Sequence, residues 1–492
     1  MNHTLIVGAG PVGLTVAIEL TRFGVNVRII DKAAQRSDKS KALAMWPRTL
    51  ELWDRAGVTG ALVDAGLKGH GALLFDGGKQ FGEISLAELA SEYRYVLLIT
   101  QDQTERVLEE HLASLGVIVD RSVELLSFND NGSGVSATLR QGDGASEMID
   151  VDWLVACDGA HSTVRQALGK SFKGTTVPTD FMLADILLGG STDISRDHIS
   201  VFVHVDGFLQ LYPIGSSRYR VIADLGDAPS SKRSDPTLDD VQKVIDHRGP
   251  GGVSAHDPIW LTTFRINERQ VEDYRSGRVF LAGDAAHIHS PAGGQGMNTG
   301  MQDACNLAWK LALVARGASS DNLLTTYSAE RQPVARAMIA ETSRLTKVLT
   351  TTSSALQTIR NNLASLLLGI PGVQHALADK LSELTIGYPD SSLSRSASVS
   401  KPTPRAGSRA PLTAAGTASD AADDPRFILH AAAGDDSRQF SAVHEALVQP
   451  TVRSPFKTDF MWLVRPDGYV AIVADAVDWA AMRAYLDMIS SA

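Results

Sequence analysis

The chain has 492 residues, of which 44% are hydrophobic and 21% are charged, as is typical of globular proteins. Because a single hydrophobic core stops growing at roughly 250–300 residues, this length predicts two or three packed units. The formal net charge of −10 argues against a surface dedicated to nucleic acid, which needs clustered basic residues. Two distant cysteines, Cys157 and Cys305, exclude a disulfide scaffold and a cysteine-based metal centre, and they favour a reducing compartment.

The first residues lack the features of a targeting segment. The apolar run at 5–7 is too short for a secretory signal, and no apolar stretch reaches the ~18 residues that a membrane-spanning helix needs. We therefore expect a cytoplasmic protein without a membrane partner.

Residues 4–31 predict a strand, a glycine-rich turn, a helix and a second strand that ends in an acid. In such a unit Gly8 makes the tight turn, Gly10 lets the backbone approach a pyrophosphate, and Gly13 allows close contact between helix and strand. The helix N-terminus offers free N–H groups to phosphates. Asp31 can accept hydrogen bonds from ribose hydroxyls, and its charge disfavours a 2′-phosphate. This segment therefore indicates a site for FAD or NAD, and a chance glycine turn does not explain the order of its elements.

Two later segments also combine a strand end with an acid. A buried strand at 151–157 leads into Asp158, and a strand at 279–282 leads into Asp284. A glycine-rich loop at 291–300 then opens a helix that runs through Asp303 and Trp309. An acid in such a turn can bind a polyol, and the N–H groups of the following helix can stabilise negative charge on a reduced flavin.

Three motifs carry a resemblance to a known family. The sequences GAGPVG at 8–13, CDGAHSTVR at 157–165 and LAGDAAHIHSPAGGQGMNTG at 281–300 resemble the fingerprints of the FAD-dependent aromatic hydroxylases. These are single-component flavoprotein monooxygenases with the para-hydroxybenzoate hydroxylase fold. The resemblance implies an α/β fold, in which a Rossmann-type FAD-binding domain is interleaved with a β-sheet substrate domain. A small C-terminal thioredoxin-like α/β domain is implied as well, as in the branch that hydroxylates phenols and polyketides.

The resemblance also implies which residues form the site. Pro291 is expected beside the substrate and Asn298 over the flavin, and both are predicted to be catalytic. Lys41 stands where many members carry arginine, and Asp158 has the alternative role of capping the helix that contains Arg165. The residues expected to bind the cofactor are Gly8, Gly10, Pro11, Gly13, Asp31, Lys32, Lys41, Gln101, Val123, Asp158, Asp284, Gly294, Gly296, Met297 and Asn298.

The remaining chain is predicted to fill the gaps of a discontinuous FAD domain. That domain comprises residues 1–70, 100–177 and 270–345, and the substrate domain comprises 71–99 and 178–269. A helical linker is expected at 346–397 and the thioredoxin-like domain at 398–492, with a hairpin turn at 465–468.

Alternating residues at 198–205 predict a strand with one apolar face and one mixed face. The mixed face and the next strand supply candidate substrate contacts, and a solvent-exposed face is the equal alternative. These candidates are Phe202, His204, Phe208, Gln210 and Tyr212.

We expect no metal site. His287 and His289 are two residues apart in an irregular loop, with no set of carboxylates or cysteines around them. Cys305 lies among apolar neighbours in a helix and is interpreted as a packing residue.

The chemistry that the resemblance implies has two halves. NADPH or NADH reduces FAD, and O2 then forms a C4a-hydroperoxyflavin that hydroxylates an aromatic, phenolic or polyketide-type molecule. The alternatives are an antibiotic-modifying or Baeyer–Villiger-type monooxygenase, a flavin dehydrogenase or reductase without oxygen insertion, and a non-catalytic relative. A homodimer is expected for the oligomeric state.

Overall fold

The structure, a computed structural model, describes residues 3–76, 78–192, 194–229, 233–349, 370–397, 399, 402–411 and 423–491. Its elements are numbered in chain order over these residues. The strands are β1 (His3–Val7), β2 (Asn26–Asp31), β3 (Ala44–Met45), β4 (Leu67–Gly69), β5 (Gly71–Asp76), β6 (Lys79–Ser85), β7 (Val96–Leu98), β8 (Asp120–Arg121), β9 (Glu124–Asp130), β10 (Val135–Arg140), β11 (Ser146–Val151), β12 (Trp153–Ala156), β13 (Lys173–Gly190), β14 (Ile199–His204), β15 (Gly207–Pro213), β16 (Arg218–Asp227), β17 (Val253–Gln270), β18 (Arg275–Ser276), β19 (Val279–Leu281), β20 (His287–Ile288), β21 (Arg395–Ala397), β22 (Ile428–His430), β23 (Phe460–Val464) and β24 (Val470–Asp475). The helices are α1 (Pro11–Arg22), α2 (Pro47–Arg55), α3 (Thr59–Ala65), α4 (Gln101–Ser114), α5 (Thr163–Ala167), α6 (Leu238–Arg248), α7 (Gly296–Ala315), α8 (Thr325–Leu349), α9 (Pro371–Leu381), α10 (Asp435–Val443) and α11 (Trp479–Ser491).

A six-stranded sheet contains the two strands predicted around the first glycine-rich turn. Its strand order is β18-β19-β12-β1-β2-β8, and every neighbouring pair except β18–β19 is parallel. Parallel strands are buried on both faces and therefore read as apolar runs, which explains the sequences of β1, β12 and β19. Because β1, β2, β12 and β19 are parallel, the segments that follow them emerge at one edge of the sheet.

An eight-stranded sheet forms the second large layer, in the order β20-β17-β13-β16-β15-β14-β5-β6. It is antiparallel apart from the parallel pair β14–β5. The helix α6 covers one face, where Val241 and Ile245 pack into an apolar cluster with Leu209 and Phe202. Ile199 to Val203 of β14 are buried, so both faces of the strand are covered and the alternative of a solvent-exposed face is wrong.

Three smaller sheets complete the fold: β11-β10-β9, β3-β7-β4 and, near the C-terminus, β21-β24-β23-β22. The turn at 465–468 joins β23 to β24 as predicted, and Arg465 donates two hydrogen bonds to Glu330 of α8 at 2.7 and 2.9 Å. None of the described helices is long and apolar enough to cross a membrane.

The mixed α/β architecture agrees with the fold class predicted from the sequence. The domain boundaries and the thioredoxin-like character of the C-terminal part stay predictions. Residues 350–369 of the expected helical linker, and 412–422 of the following connection, lie outside the described residues.

Candidate cofactor and substrate site

The glycine-rich turn after β1 is shaped by close backbone contacts. Gly8 has a φ of +101°, and a Cβ there would lie 2.4 Å from the carbonyl oxygen of Cys157. A Cβ on Gly13 would lie 1.9 Å from the carbonyl oxygen of Gly8. A Cβ on Gly10, by contrast, would meet no protein atom within 4 Å. Gly8 and Gly13 are thus required by the fold itself, whereas Gly10 borders open space that a ligand can approach.

The helix α1 begins at Pro11 behind this turn, and no side chain caps it. Uncapped N–H groups at a helix start are suited to bind phosphate. The Asp31 carboxylate accepts the N–H of Ala9 at 2.8 Å and that of Ala33 at 2.8 Å, so it fixes the turn from the end of β2. Val123 is buried beside it and donates its N–H to the Asp31 carbonyl, whereas Lys32 is exposed.

Asp158 follows β12 at the same edge of the six-stranded sheet. One of its carboxylate oxygens accepts the N–H of Val164 at 3.2 Å and the hydroxyl of Thr163 at 3.1 Å, so it caps α5. The other oxygen is buried and has no hydrogen-bond partner. Because buried polar atoms are rarely left unpaired, this oxygen marks a place where a ligand hydroxyl fits. The alternative role of helix capping is therefore present, but it uses only half of the carboxylate.

Asp284 lies within reach of the charge of Lys41. Asp284 is accessible to solvent, yet surrounding protein raises the pKa of its carboxyl, and His287 and Lys41 partly offset this. Lys41 is exposed, and its carbonyl accepts a hydrogen bond from Arg220 at 3.4 Å. An acid that is accessible to solvent and partly surrounded by protein can accept hydrogen bonds from a polyol.

Gln101 starts α4 and holds the loop that carries Lys41. Its backbone N–H donates to the Ser40 hydroxyl at 2.7 Å, and its side-chain oxygen accepts the N–H of Ala42 at 3.2 Å. Its side-chain nitrogen donates to Glu105 at 2.8 Å. Gln101 is therefore committed largely to the protein.

The side chain of Asn298 does not support the predicted catalytic role. It is fully buried in the first turn of α7, where its oxygen accepts the N–H of Trp46 at 2.8 Å. Its nitrogen donates to the carbonyls of Ala44 at 2.9 Å and Gly294 at 3.0 Å. Since both N–H donors are used, Asn298 fixes the loop and β3 instead of contacting a reacting molecule.

The other residues of the 291–297 segment lie around the start of α7. Gly294 has a φ of +64°, and a Cβ there would lie 2.9 Å from the Cβ of Ala44. Gly296 begins the helix, Met297 is half-buried against the main apolar core, and Pro291 is exposed. The imidazole of His289 lies against the helix start, since a Cβ on Gly296 would be 3.3 Å from its Nε2.

A narrow, mostly apolar cavity of about 20 Å3 lies between this loop and the eight-stranded sheet. Its lining is Phe181, Phe208, Gln210, Ile222, Ile266, Ser290, Pro291, Ala292 and Thr346. No lining side chain is charged. A volume of this size holds about one water molecule, so side chains must move before an aromatic ring can enter.

The structure divides the five predicted substrate contacts between two faces. Phe208 and Gln210 line the cavity, and the hydroxyl of Tyr212 donates to the Gln210 side-chain oxygen at 3.0 Å. Phe202 instead pairs with Leu209 and lies on the face covered by α6, with its ring 4.7 Å from that of Phe75. His204 contacts His247 of α6, with ring centroids 4.5 Å apart. The predicted substrate role of Phe202 and His204 is therefore wrong for this cavity.

Known proteins with similar sequences and structures identify the family of this chain. A family model described as an FAD binding domain matches residues 1–342. The chain is 39% identical over 417 residues to a 6-methylpretetramide 4-monooxygenase of Streptomyces rimosus, covering 80% of this chain and 71% of that protein. It is 33% identical over 496 residues to a flavin-dependent monooxygenase of Mycobacteroides abscessus, covering 96% and 97%. The solved structure of an anhydrotetracycline hydroxylase from Streptomyces rimosus has a TM-score of 0.81 at 28% identity, covering 100% of this chain and 99% of that chain.

The chain belongs to the FAD-dependent aromatic hydroxylases. The resemblance stated from its three motifs is confirmed, and the protein is a flavoprotein monooxygenase whose cofactor is FAD. Use of NADH or NADPH as co-substrate is typical of this family. The residues present fit FAD, since the open space at Gly10, the uncapped start of α1 and the unpaired Asp158 oxygen all leave room for a ligand.

In this aromatic hydroxylase a buried network ties α7 to the Asp284 turn, and the sequence analysis missed it. Asp303 accepts hydrogen bonds from Gly283 at 3.2 Å, His287 at 2.7 Å and Arg331 at 2.6 Å. Burial alone would raise the pKa of Asp303, but Arg331 and His287 hold it low. Arg331 also donates to the carbonyl of Thr299 at 3.0 Å. The charge of Asp303 therefore fixes the 283–287 segment, which contains Asp284, and α8 against α7.

Two further groups near the start of α7 were not singled out as functional. Glu383 is 1% exposed, has a φ of 62° and accepts hydrogen bonds from Thr299 at 3.3 Å and Gln302 at 2.5 Å. Burial raises the pKa of Glu383 to about 8. The Nδ1 of His289 bonds the Ser290 carbonyl at 2.7 Å while its Nε2 has no partner, and burial lowers the pKa of this imidazole to about 4. Both groups are therefore uncharged at neutral pH, and no local sequence signal marks Glu383.

Proposed function

We propose that this enzyme uses NADPH or NADH and O2 to hydroxylate an aromatic small molecule of phenolic or polyketide type. The observation that carries the proposal is the uncharged cavity between Pro291 and the eight-stranded sheet, which phenylalanine and isoleucine side chains line. Aromatic rings bury favourably against such side chains. A free carboxylate would find no partner there, since burying an unpaired charge is costly.

The polar groups of the cavity favour a substrate that carries a phenol or a ring carbonyl. The side-chain oxygen of Gln210 is already used by Tyr212, which leaves the amide N–H groups to donate to a substrate oxygen. Burial raises the pKa of Tyr212 to about 12, so its hydroxyl stays protonated and keeps Gln210 oriented. The Ser290 and Thr346 hydroxyls, 2.7 Å apart, supply the remaining polar edge.

FAD, when bound, supplies the electrons and activates O2, so the chain's own residues need only bind, orient and exclude water. For this we propose that Gly8, Gly10, Pro11, Gly13 and the start of α1 hold the pyrophosphate, with Asp31 at the ribose. Asp284 and the free oxygen of Asp158 are proposed for polyol hydroxyls, with Pro291 beside the substrate. The rest of the proposed cofactor lining consists of Lys32, Lys41, Gln101, Val123, Gly294, Gly296 and Met297. Asn298 is proposed to contact the cofactor through its backbone, since its side chain is used within the protein.

The names of two relatives support a fused-ring substrate, since one acts on 6-methylpretetramide and another on anhydrotetracycline. The cavity must widen for such a molecule. The contact between Ser290 and Thr346 of α8 closes one side of it, so separation of these two hydroxyls is the movement that we expect.

The test is substrate-stimulated oxidation of NADH and NADPH by the FAD-loaded enzyme, with mass spectrometry of products formed under 18O2. We expect fused-ring phenols to stimulate consumption and to gain one labelled oxygen on a ring carbon, and para-hydroxybenzoate, which carries a carboxylate, to do neither. Label inserted beside a ketone supports the Baeyer–Villiger alternative. Turnover without label supports a dehydrogenase, and either result contradicts the proposal.

We further propose a homodimer in a reducing cytoplasm, without nucleic-acid or membrane partners. Both cysteines are unpaired and sheltered, and burial raises the pKa of each thiol, which suits a compartment without disulfide formation. Light scattering on the FAD-loaded enzyme tests the dimer, and a mass of one chain contradicts it.

A further inference from the structure

One group of histidine and carboxylate side chains in the described part of the chain lies outside the cofactor site. It consists of His204 at the end of β14, Asp206 in the β14–β15 turn, and His247 in the last turn of α6. The Nε2 of His247 is 2.7 Å from an Asp206 carboxylate oxygen, and the Nδ1 of His204 is 3.6 Å from the same oxygen. One ligand atom from each residue lies within 4.8 Å of the other two.

The frame beneath this cluster is held by buried interactions. Arg248, the residue after His247, donates to the carbonyls of Phe208 at 3.1 Å and Asp224 at 2.8 Å, and to the Asp224 carboxylate at 3.0 Å. Gly207 has a φ of +124°, and a Cβ there would lie 2.1 Å from that carboxylate. The end of α6 and the hairpin turn are therefore fixed to each other, and the three side chains meet on a rigid base.

Further contacts hold the ligand side chains over the turn. The Nδ1 of His204 accepts the backbone N–H of Asp206 at 3.1 Å, which fixes the imidazole beside the Asp206 carboxylate. The guanidinium of Arg248 is paired with the Asp224 carboxylate, which offsets its positive charge next to the cluster.

We propose that His204, Asp206 and His247 bind a divalent transition-metal ion of the Zn2+ class. Two imidazoles and one carboxylate are ligands that Zn2+, Co2+ and Ni2+ accept, and a water molecule completes a tetrahedral site. Ligand atoms around a tetrahedral Zn2+ are about 3.3 Å apart, so a pair separated by up to 4.8 Å must close by up to about 1.5 Å. The ion replaces the proton shared between His247 and Asp206.

The site lies on the face of the sheet that α6 covers, away from the cavity at Pro291, so it is structural. It cross-links α6 to the hairpin whose second strand carries Phe208 and Gln210 to the cavity. No metal site was predicted from the sequence, where the histidines considered were His287 and His289, two residues apart. His204 and His247 are far apart in the chain, and only the fold brings them together.

The test is titration of untagged, chelator-treated, FAD-loaded enzyme with ZnCl2 by calorimetry, and with CoCl2 by visible absorption. We expect one equivalent of Zn2+ to bind, tetrahedral Co2+ bands to appear, and the melting temperature to rise by a few degrees. The variants His247→Gln and Asp206→Asn should each lose at least tenfold in affinity.

His375→Gln is the matched control, because His375 lies 3.4 Å from Asp379 on α9 and forms only a two-residue pair. This variant should bind Zn2+ as the unmodified enzyme does. Flavin absorbance should be the same in all three variants, which shows that the fold is retained. Absence of stoichiometric binding, or equal affinity in His247→Gln and the unmodified enzyme, overturns the proposal.

Discussion

The glycine-rich turn of the six-stranded sheet and the cavity on the eight-stranded sheet differ in what fixes them. The turn is built from residues that are neighbours in the chain, with Asp31 accepting the N–H of Ala9 and Gly13 lying against Gly8. The cavity is built from strands β13, β15, β16 and β17 and from the loop at 291, which lie far apart in the sequence.

This difference explains why the turn can be recognised from the sequence and the cavity cannot. Local contacts impose conformations that only certain residues adopt, so they leave a motif in the sequence. Contacts between distant strands impose only size and polarity, and many residues satisfy those. We therefore expect substitutions of the packed turn glycines to affect the fold and the cofactor together, and substitutions in the cavity to affect the substrate without affecting the cofactor.

The largest effect is expected from Gly13→Ala. Its new Cβ would lie 1.9 Å from the Gly8 carbonyl oxygen, so the start of α1 must shift away from β1. We expect loss of bound flavin, measured by visible absorbance, and a drop in melting temperature of the apoprotein. Gly10→Val is the comparison, because a Cβ there meets no protein atom within 4 Å. It should lose flavin while the apoprotein keeps its melting temperature, and retention of flavin by Gly10→Val would contradict the assignment of the turn.

The order of elements around the turn was predictable, because apolar runs and glycines mark it directly. β1, α1 and β2 follow in the predicted order, but α1 begins at Pro11, inside the segment that the sequence predicted as a turn. The strand β14 was also predictable from alternation, but the face that meets the cavity was not. Val201 pairs with Gln210, so residues of even number on one strand share a face with residues of odd number on the next. Phe202 and Phe208 were predicted to lie on one face because both numbers are even, and this prediction was therefore wrong.

The contacts of Asn298 and Glu383 were not predicted from the sequence, and both cases have the same physical reason. Asn298 was placed correctly at the start of α7, yet its partners Ala44 and Trp46 come from a strand end and a helix start some 250 residues earlier. Glu383 reaches α7 from the turn that follows α9, and its own φ is 62°. Hydrogen bonds between such distant segments leave no spacing or composition to detect.

The next largest effect is expected from Asp303→Asn. Removing one partner of a buried ion pair costs about 3–5 kcal/mol, because the charge of Arg331 is left without compensation. The Gly283 turn also loses a charged acceptor. We therefore expect both the flavin affinity and the free energy of unfolding, measured in urea, to fall. Glu88→Gln, which removes one charge from an exposed position, should change neither quantity. Equal stability of Asp303→Asn and the unmodified enzyme contradicts the role of this network.

Phe202→Ala and Phe208→Ala test the two faces of one hairpin. Both side chains are buried, and truncating a buried phenylalanine costs about 3 kcal/mol or more. Only Phe208 lines the cavity, so Phe208→Ala should also raise the KM for the aromatic substrate or uncouple NAD(P)H oxidation from product formation. Phe202→Ala should leave KM unchanged at a temperature where it stays folded. A raised KM in Phe202→Ala would instead support the substrate role that the sequence predicted for both residues.

A smaller, pH-dependent effect is expected from Glu383. Its carboxyl has a pKa of about 8 in the folded enzyme, against 4.5 without the protein environment, because burial disfavours the charged form. Between these values the folded state keeps a proton that the unfolded state has lost, so the free energy of unfolding falls as the pH rises from 4.5 to 8. The fall is about 1.4 kcal/mol for each unit by which the pKa is raised.

Glu383→Gln keeps the shape of the side chain without the proton, so its unfolding free energy should depend less on pH in that window. Urea unfolding of both proteins at pH 5, 7 and 9 checks this. Parallel pH dependences in the two proteins contradict a raised pKa at Glu383. The positive charges of Arg331 and Arg48 oppose the rise in the pKa of Glu383.

The smallest effect is expected from Tyr212→Phe. This variant keeps Gln210 in the cavity but removes the hydrogen bond that orients its side chain. The lost hydrogen bond to Gln210 is worth about 1 kcal/mol, and the amide becomes free to rotate, so KM should rise several-fold while flavin absorbance is unchanged. Tyr219→Phe is the matched control, because Tyr219 donates to the Ile194 carbonyl at 3.1 Å and packs in the Phe202 cluster under α6. It should cost similar stability without changing KM. If both variants change KM alike, the two faces of this sheet do not act separately on the substrate.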